Sequence, residues 1–211
     1  QQTLDDVLES RTQLLMQYQD SAYAARYRRL VDRVRTAESK VAGSEGLLSM
    51  TVARQFAKLL AYKDEYEVAR LHADPVFLKR IADQFEGDFT LNYHLAPPLI
   101  AKKNDKGELV KQKFGPSMLT GFKLLSRLRF LRGGLFDVFG YTEERRMERA
   151  LIEEYKASIT EIMATFAPGK HALALEIARI PEKIKGYGHV KERHLKAARE
   201  QWEGLMHAWR A

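Results

Sequence analysis

Apolar residues recur at three- and four-residue steps from Thr3 to Val41: Leu8, Leu15, Tyr18, Ala22 and Ala25, then Tyr27, Leu30, Val31, Val34 and Val41. That period puts them on one side of an α-helix and predicts a single long helix, with Asp5 and Asp6 at the positive end of its dipole. Gly43, Ser44 and Gly46 interrupt it, and Ser44 suits an N-cap. A second helix follows on Val52, Phe56, Leu59, Tyr62, Tyr66 and Ala69, with Lys63 and Glu67 spaced to pair across one turn. These two helices are expected to form a long antiparallel hairpin over residues 1–73. Asp74 and Pro75 then start a short helix, whose buried face is Phe77, Leu78, Ile81 and Phe85.

After Gly87 the period drops to two. Phe89, Leu91, Tyr93 and Leu95 alternate with Thr90, Asn92 and His94, as in a strand buried on one face. Pro97 and Pro98 limit that strand to an edge or end it. Asn104 to Gly107 offer turn chemistry, and Glu108 to Phe114 can return as its partner, giving one β-hairpin near 88–114. Helical spacing resumes behind Pro116 with Met118, Phe122, Leu125 and Leu128, widened by Leu124 and Leu131. Gly133 and Gly134 stop this helix, and Phe136, Phe139 and Tyr141 make an aromatic corner, expected to plug core beneath a loop. Thr142 caps a long helix carrying Met147, Leu151, Tyr155, Ile159, Ile162 and Phe166. Shorter helical pieces through Leu173, Ile177 and Ile180 lead to a last helix on Leu195, Ala198, Trp202, Leu205 and Trp209. The fold class expected is mostly α (α+β): one helical domain over 1–211, a helical hairpin over 1–73, then helices with an inserted antiparallel β-hairpin over 74–211.

Composition narrows the function classes. Cysteine is absent, so the chain supplies no disulfide and no thiolate to a zinc or iron–sulfur site. No apolar run reaches the roughly 18 to 20 residues a membrane-spanning helix needs, and the first twenty residues lack a signal-peptide pattern; a soluble, cytoplasmic chain with no membrane partner is expected. Opening on Gln1 with helical periodicity almost at once, the sequence reads as a piece of something longer. An excess of 35 Lys+Arg over 28 Asp+Glu gives +7 and favours acidic partners. The bases alternate with acids along helices and carry no nucleic-acid signature, so nucleic acid is not expected. Arg26, Arg28, Arg29, Arg33 and Arg35 read as a solvated face.

Few side chains are spaced for chemistry. The six histidines lack ligand spacing, since His189 and His194 are five apart and Glu203 with His207 is a single pair; no metal site is expected. Gly186, Gly188, His189 and Lys191 form a glycine-loosened loop at a helix start, where free amides and a cation could meet an anion. The same glycines equally serve a plain turn. Asn92 and His94 share the polar face of the first strand and could converge on a ligand or stand in water. Arg145, Arg146 and Arg149 could grip a carboxylate or phosphate, or pair with neighbouring glutamates, as Arg145 with Glu148 and Arg149 with Glu153. No nucleophile, base and third group stand together, and no catalytic residue is assigned.

Four strings in order carry a resemblance that spacing does not show: YKDEYEVARL at Tyr62 to Leu71, FEGDFTLNYHLAPPL at Phe85 to Leu99, FDVFGYTEERRMERALIEEY at Phe136 to Tyr155, and GYGHVK at Gly186 to Lys191. They resemble the C-terminal region of the long, fused indolepyruvate ferredoxin oxidoreductases, from the first helix to the last. The resemblance implies a parent that oxidatively decarboxylates an aryl or other 2-oxo acid to an acyl-CoA. Thiamine diphosphate and iron–sulfur centres would serve that reaction, with ferredoxin as acceptor and CoA as substrate. No cofactor-binding motif of that family maps onto a residue here, so cofactors and catalysis are expected upstream. The expected role is an accessory domain that packs on the rest of an oligomeric parent; the alternative is a basic docking module for ferredoxin or the phosphates of CoA.

Overall fold

The computed structural model describes residues 2–41, 45–96, 101–102, 104, 110–186 and 188–211. The described residues are mostly α-helical with one small antiparallel sheet. They divide into two compact units: residues 1–62 with 141–211, and residues 63–140. The division falls after Tyr62 rather than after Ala73, and the second unit interrupts the first in sequence.

The first unit begins with α1 (Leu4–Tyr18), entered through a reciprocal cap in which Thr3 and Asp6 each accept the other's backbone N–H, at 3.2 and 2.9 Å. The single helix expected over residues 3–41 is two. Gln19 leaves helical geometry, and the Asp20 carboxylate accepts the Tyr23 N–H at 2.7 Å to start α2 (Ser21–Glu38). An aspartate with free helix amides beyond it is a better start than an interior residue, which is why the stripe changes face there.

Of the break between α2 and α3, Gly43 and the proposed cap Ser44 lie outside the described residues. Gly46, at φ 74°, occupies the cap position of α3 (Leu47–Leu60) and has no side chain with which to cap it. The cap comes from the preceding helix: Glu38, 1% exposed, accepts the N–H of Leu48 at 2.9 Å and of Ser49 at 2.7 Å, and also the Ser49 hydroxyl. His171 Nε2 lies 3.2 Å from the same carboxylate. The second helix ends at Leu60, not at Ala69, and the hydroxyls of Tyr18 and Tyr23 donate to the carbonyls of Tyr62 and Leu60 at its close.

Two long helices complete this unit, α7 (Glu143–Ala164) and α9 (Gly188–Arg210), with α8 (His171–Ala178) between them. Thr142 caps α7 as expected, and Leu151, Tyr155, Ile159 and Ile162 are buried in the expected order. Tyr27, Phe56 and Tyr155 stack in turn with centroids 6.3 and 6.1 Å apart, and Trp202 of α9 meets Tyr155 edge-on at 6.1 Å. The buried phenols of Tyr27 and Tyr155 donate to the carbonyls of Ala53 and Ala178.

In the second unit α4 (Glu65–His72) starts at Asp64, whose carboxylate accepts the Glu67 N–H at 2.9 Å. Glu67 pairs with Arg70 rather than with Lys63. Asp74 caps α5 (Pro75–Ala82) as expected, but no residue of α5 is fully buried; Phe77 is exposed, and Phe85 stacks on Phe89 at 5.2 Å on the surface. The β-hairpin is shorter than the alternation predicts. β1 (Tyr93–Leu95) pairs with β2 (Gln112–Phe114), Tyr93 opposite Phe114 and His94 opposite Lys113; the expected turn at 105–107 and the Pro97–Pro98 stop lie outside the described residues. Tyr93, Ala69 and Phe122 of α6 (Met118–Arg127) make a small core, joined by half-buried Leu91, Leu95, Met118 and Leu125. A 3₁₀ turn, Leu128–Leu131, continues α6 toward the glycines.

Candidate functional site: an inverted corner

The corner after α6 reverses the usual rule of burial. Asp137 is 3% exposed, whereas Leu135, Phe136 and Val138 around it are 86%, 77% and 60% exposed. The sequence expectation of an aromatic plug is therefore corrected: Phe136 and Tyr141 face solvent, and only Phe139 turns inward, edge-on to Tyr66 at 5.4 Å.

The reason lies in the backbone. Gly133 has φ 75°, the left-handed conformation glycine adopts without penalty, and it ends the helical turn. The loop's amides then need acceptors, and the Asp137 carboxylate folded beneath them supplies two. It accepts the N–H of Gly133 at 2.7 Å and of Gly140 at 3.0 Å, and the phenol of Tyr66 donates to it at 3.2 Å. Burial, reinforced by the charge of Asp137, pushes the Tyr66 phenol above the ordinary tyrosine range, so it stays a donor. Beside it Arg132 forks onto Asp64, at 2.9 Å for the second nitrogen, with its guanidinium carbon 5.5 Å from the Tyr66 ring centroid. Buried charge held by several hydrogen bonds fixes one geometry. With the aspartate inside, the side chains of Leu135, Phe136 and Val138 are left largely exposed.

The second unit carries another exposed set. Lys123, Leu124, Arg127 and Phe130 fall at three- and four-residue steps, opposite buried Phe122, and Leu124 and Phe130 are each 63% exposed. Leu124 does not widen the buried stripe as the spacing suggests. From Val110 to Phe136 the sequence contains six Lys and Arg and no Asp or Glu. Arg132 is held by Asp64; Lys111, Lys113, Lys123 and Arg127 are exposed.

The residues singled out by sequence fall in different units. Arg145, Arg146 and Arg149 stand on α7 in the first unit, Asn92 and His94 at the hairpin of the second. Arg145 is buried, pairs with Glu148 and Glu144, and lies 5.8 Å from the Tyr62 ring centroid, so it is structural rather than a grip on a ligand. Glu153, the expected partner of Arg149, instead pairs with Arg26. Arg146 lines an open groove of about 760 Å³ together with Glu143, Glu144, Glu192 and Arg199, a mixed-sign surface with no convergent donor set. Asn92 and His94 are exposed.

In the glycine loop, Tyr187 and the side chain of His189 lie outside the described set. Lys191 is half-buried and donates to Glu148, so its charge serves the same internal network as Arg145. Gly186 sits at φ 90°, and a Cβ there would stand 2.9 Å from Val190 Cγ1. The turn thus needs glycine for its own conformation, and Lys191 is not presented to an anion. Among the described residues, no group of three or more His, Asp or Glu side chains is placed to hold a metal ion. None of the described helices is long and apolar enough to cross a membrane.

Sequence reasoning singled out neither Asp137 nor Glu38. The available signals were an aspartate between aromatics and glycines, and a glutamate nine residues before a helix start that lacks a capping side chain.

A model for a family described as of unknown function, DUF6537, matches residues 4–204. No curated protein and no solved structure matches the chain.

Proposed function

The chain belongs to the DUF6537 family, and we propose that it is a non-catalytic accessory and assembly domain of an enzyme resembling the indolepyruvate ferredoxin oxidoreductases. The observation that carries this reading is the inverted corner. Leu135, Phe136 and Val138 are held outward by a buried carboxylate, and an exposed apolar group of this kind marks a surface made to be covered. The charged clusters described above, by contrast, close helix ends and loops. The partner assigned is the catalytic body of the parent, which would oxidise aryl 2-oxo acids to acyl-CoA with thiamine diphosphate and iron–sulfur centres. This chain has no cysteine with which to ligate a cluster.

The acid-free run from Val110 to Phe136 favours a second reading, a basic dock for ferredoxin or the phosphates of CoA. The two are separated by Leu135→Ser with Phe136→Ser in the complete enzyme. Assembly predicts that the domain unfolds in its own calorimetric transition, whereas a transient basic dock predicts unchanged unfolding and a raised KM for ferredoxin or CoA. Turnover of indolepyruvate by this chain alone, with thiamine diphosphate and a dye acceptor, would contradict both.

A further inference from the structure

We infer that the outer strip of α6 and its 3₁₀ extension, Lys123, Leu124, Arg127 and Phe130, docks on a protein surface that presents carboxylates around an apolar recess. The inference rests on the assembly reading and adds the chemistry of the partner. Phe122 on the opposite side of the helix is already buried, and Met118 and Leu125 are half-buried in the unit's own core. The outer strip is therefore a second apolar set that the fold of this unit does not use. Leu124 and Phe130 are as exposed as corner residue Val138, and an apolar set rimmed by polar residues marks an interaction site.

Charge selects the occupant. With no acid between Val110 and Phe136, no near neighbour in sequence neutralises Lys123 or Arg127, and the strip presents a positive rim. A partner of the same sign would be repelled, and a neutral one would leave two cations desolvated without compensation. A carboxylate beside each cation answers both, and the fork of Arg127 suits a two-point contact. A lipid bilayer fits less well. Lys123 and Arg127 could snorkel to anionic headgroups beside Leu124, but mobile headgroups fix no acid in register with either cation. A protein surface has no such restriction, because it can place an acid at each position.

The test uses the complete enzyme, with oxidative footprinting of Phe130 read by mass spectrometry. The double reversal Lys123→Glu with Arg127→Glu should raise Phe130 modification by about tenfold over the wild type. The corner pair Leu135→Ser with Phe136→Ser serves as the comparison, and circular dichroism verifies that both variants keep their helix content. If the charge reversal leaves Phe130 protected while the corner pair exposes it, the acidic partner is overturned and the assembly reading stands. If Phe130 is already freely modified in the wild type and neither pair changes it, both are overturned. Sedimentation of the wild-type enzyme with phosphatidylserine-containing vesicles, abolished by the charge reversal, would overturn the protein partner in favour of a lipid surface.

Discussion

A single carboxylate decides which way the corner faces. The Asp137 carboxylate accepts three hydrogen bonds in a site from which water is nearly excluded, and its loss would take this acceptor from the Gly133 amide and the Tyr66 phenol, while the Gly140 amide keeps the Asp137 backbone carbonyl at 3.0 Å. Replacing it by alanine should destabilise the corner by about 2 kcal/mol, seen as roughly thirtyfold faster hydrogen exchange at the amide of Gly133. Asp137→Asn, which keeps one acceptor oxygen, should lose less. Unchanged exchange in the alanine variant would show that the loop holds its shape without the carboxylate. This residue also shows why the corner was misread from sequence. Hydrophobicity reports that Phe136, Phe139 and Tyr141 prefer burial, but which of them is buried depends on where the loop amides find an acceptor. That is set by the turn amides of Gly133 and Gly140 and by Tyr66, 71 residues away, and periodicity reports neither.

At the scale of the helices, ends were harder to read than faces. Most inward residues of α7 and α9 follow from spacing, because a helix period repeated over several turns leaves one consistent buried stripe; the exceptions are Ile152 and Met206, buried though not expected, and Met147, Phe166 and Leu205, only half-buried. The boundaries at Tyr18 and Leu60 were passed over, although Asp20 and Asp64 are start signals of the same kind as Asp74, which was recognised without structure. The missed starts fall within runs whose apolar spacing continues across the break, so the period masks the cap. The start of α3 was unreadable for another reason: its cap is Glu38, supplied from the end of α2 and touched by His171 from α8. Glu38→Ala leaves two helix amides and the Ser49 hydroxyl without this acceptor in a dry site and should cost about 2 to 4 kcal/mol. Both tryptophans, Trp202 and Trp209, lie in the same compact unit, so their fluorescence during urea unfolding reports the loss directly. A midpoint unchanged from wild type would mean that Glu38 does not hold α3.

For the molecule as a whole, fold class was legible and the surface that matters was not. Mostly helical architecture with one β-hairpin follows from a period of 3.6 broken once by a period of two. The positive balance of +7 was equally plain, but its distribution carries more than its sum. Acids accompany the bases along α2 and α7 and are absent between Val110 and Phe136, a run that also exposes Leu124, Phe130, Leu135 and Phe136. Charge and apolar exposure coincide there, which is what distinguishes a docking surface from a solvated face. The residues first considered for ligands fail that criterion: Arg145 and Lys191 converge on Glu148 and neutralise it internally.

The central claim, that the inverted corner is covered when the chain is part of its enzyme, is tested most directly by oxidative footprinting of Leu135 and Phe136 in the complete enzyme and in this chain alone. We predict strong modification of both side chains in the separate chain and protection of about tenfold or more in the complete enzyme. Equal modification in the two samples would contradict the claim.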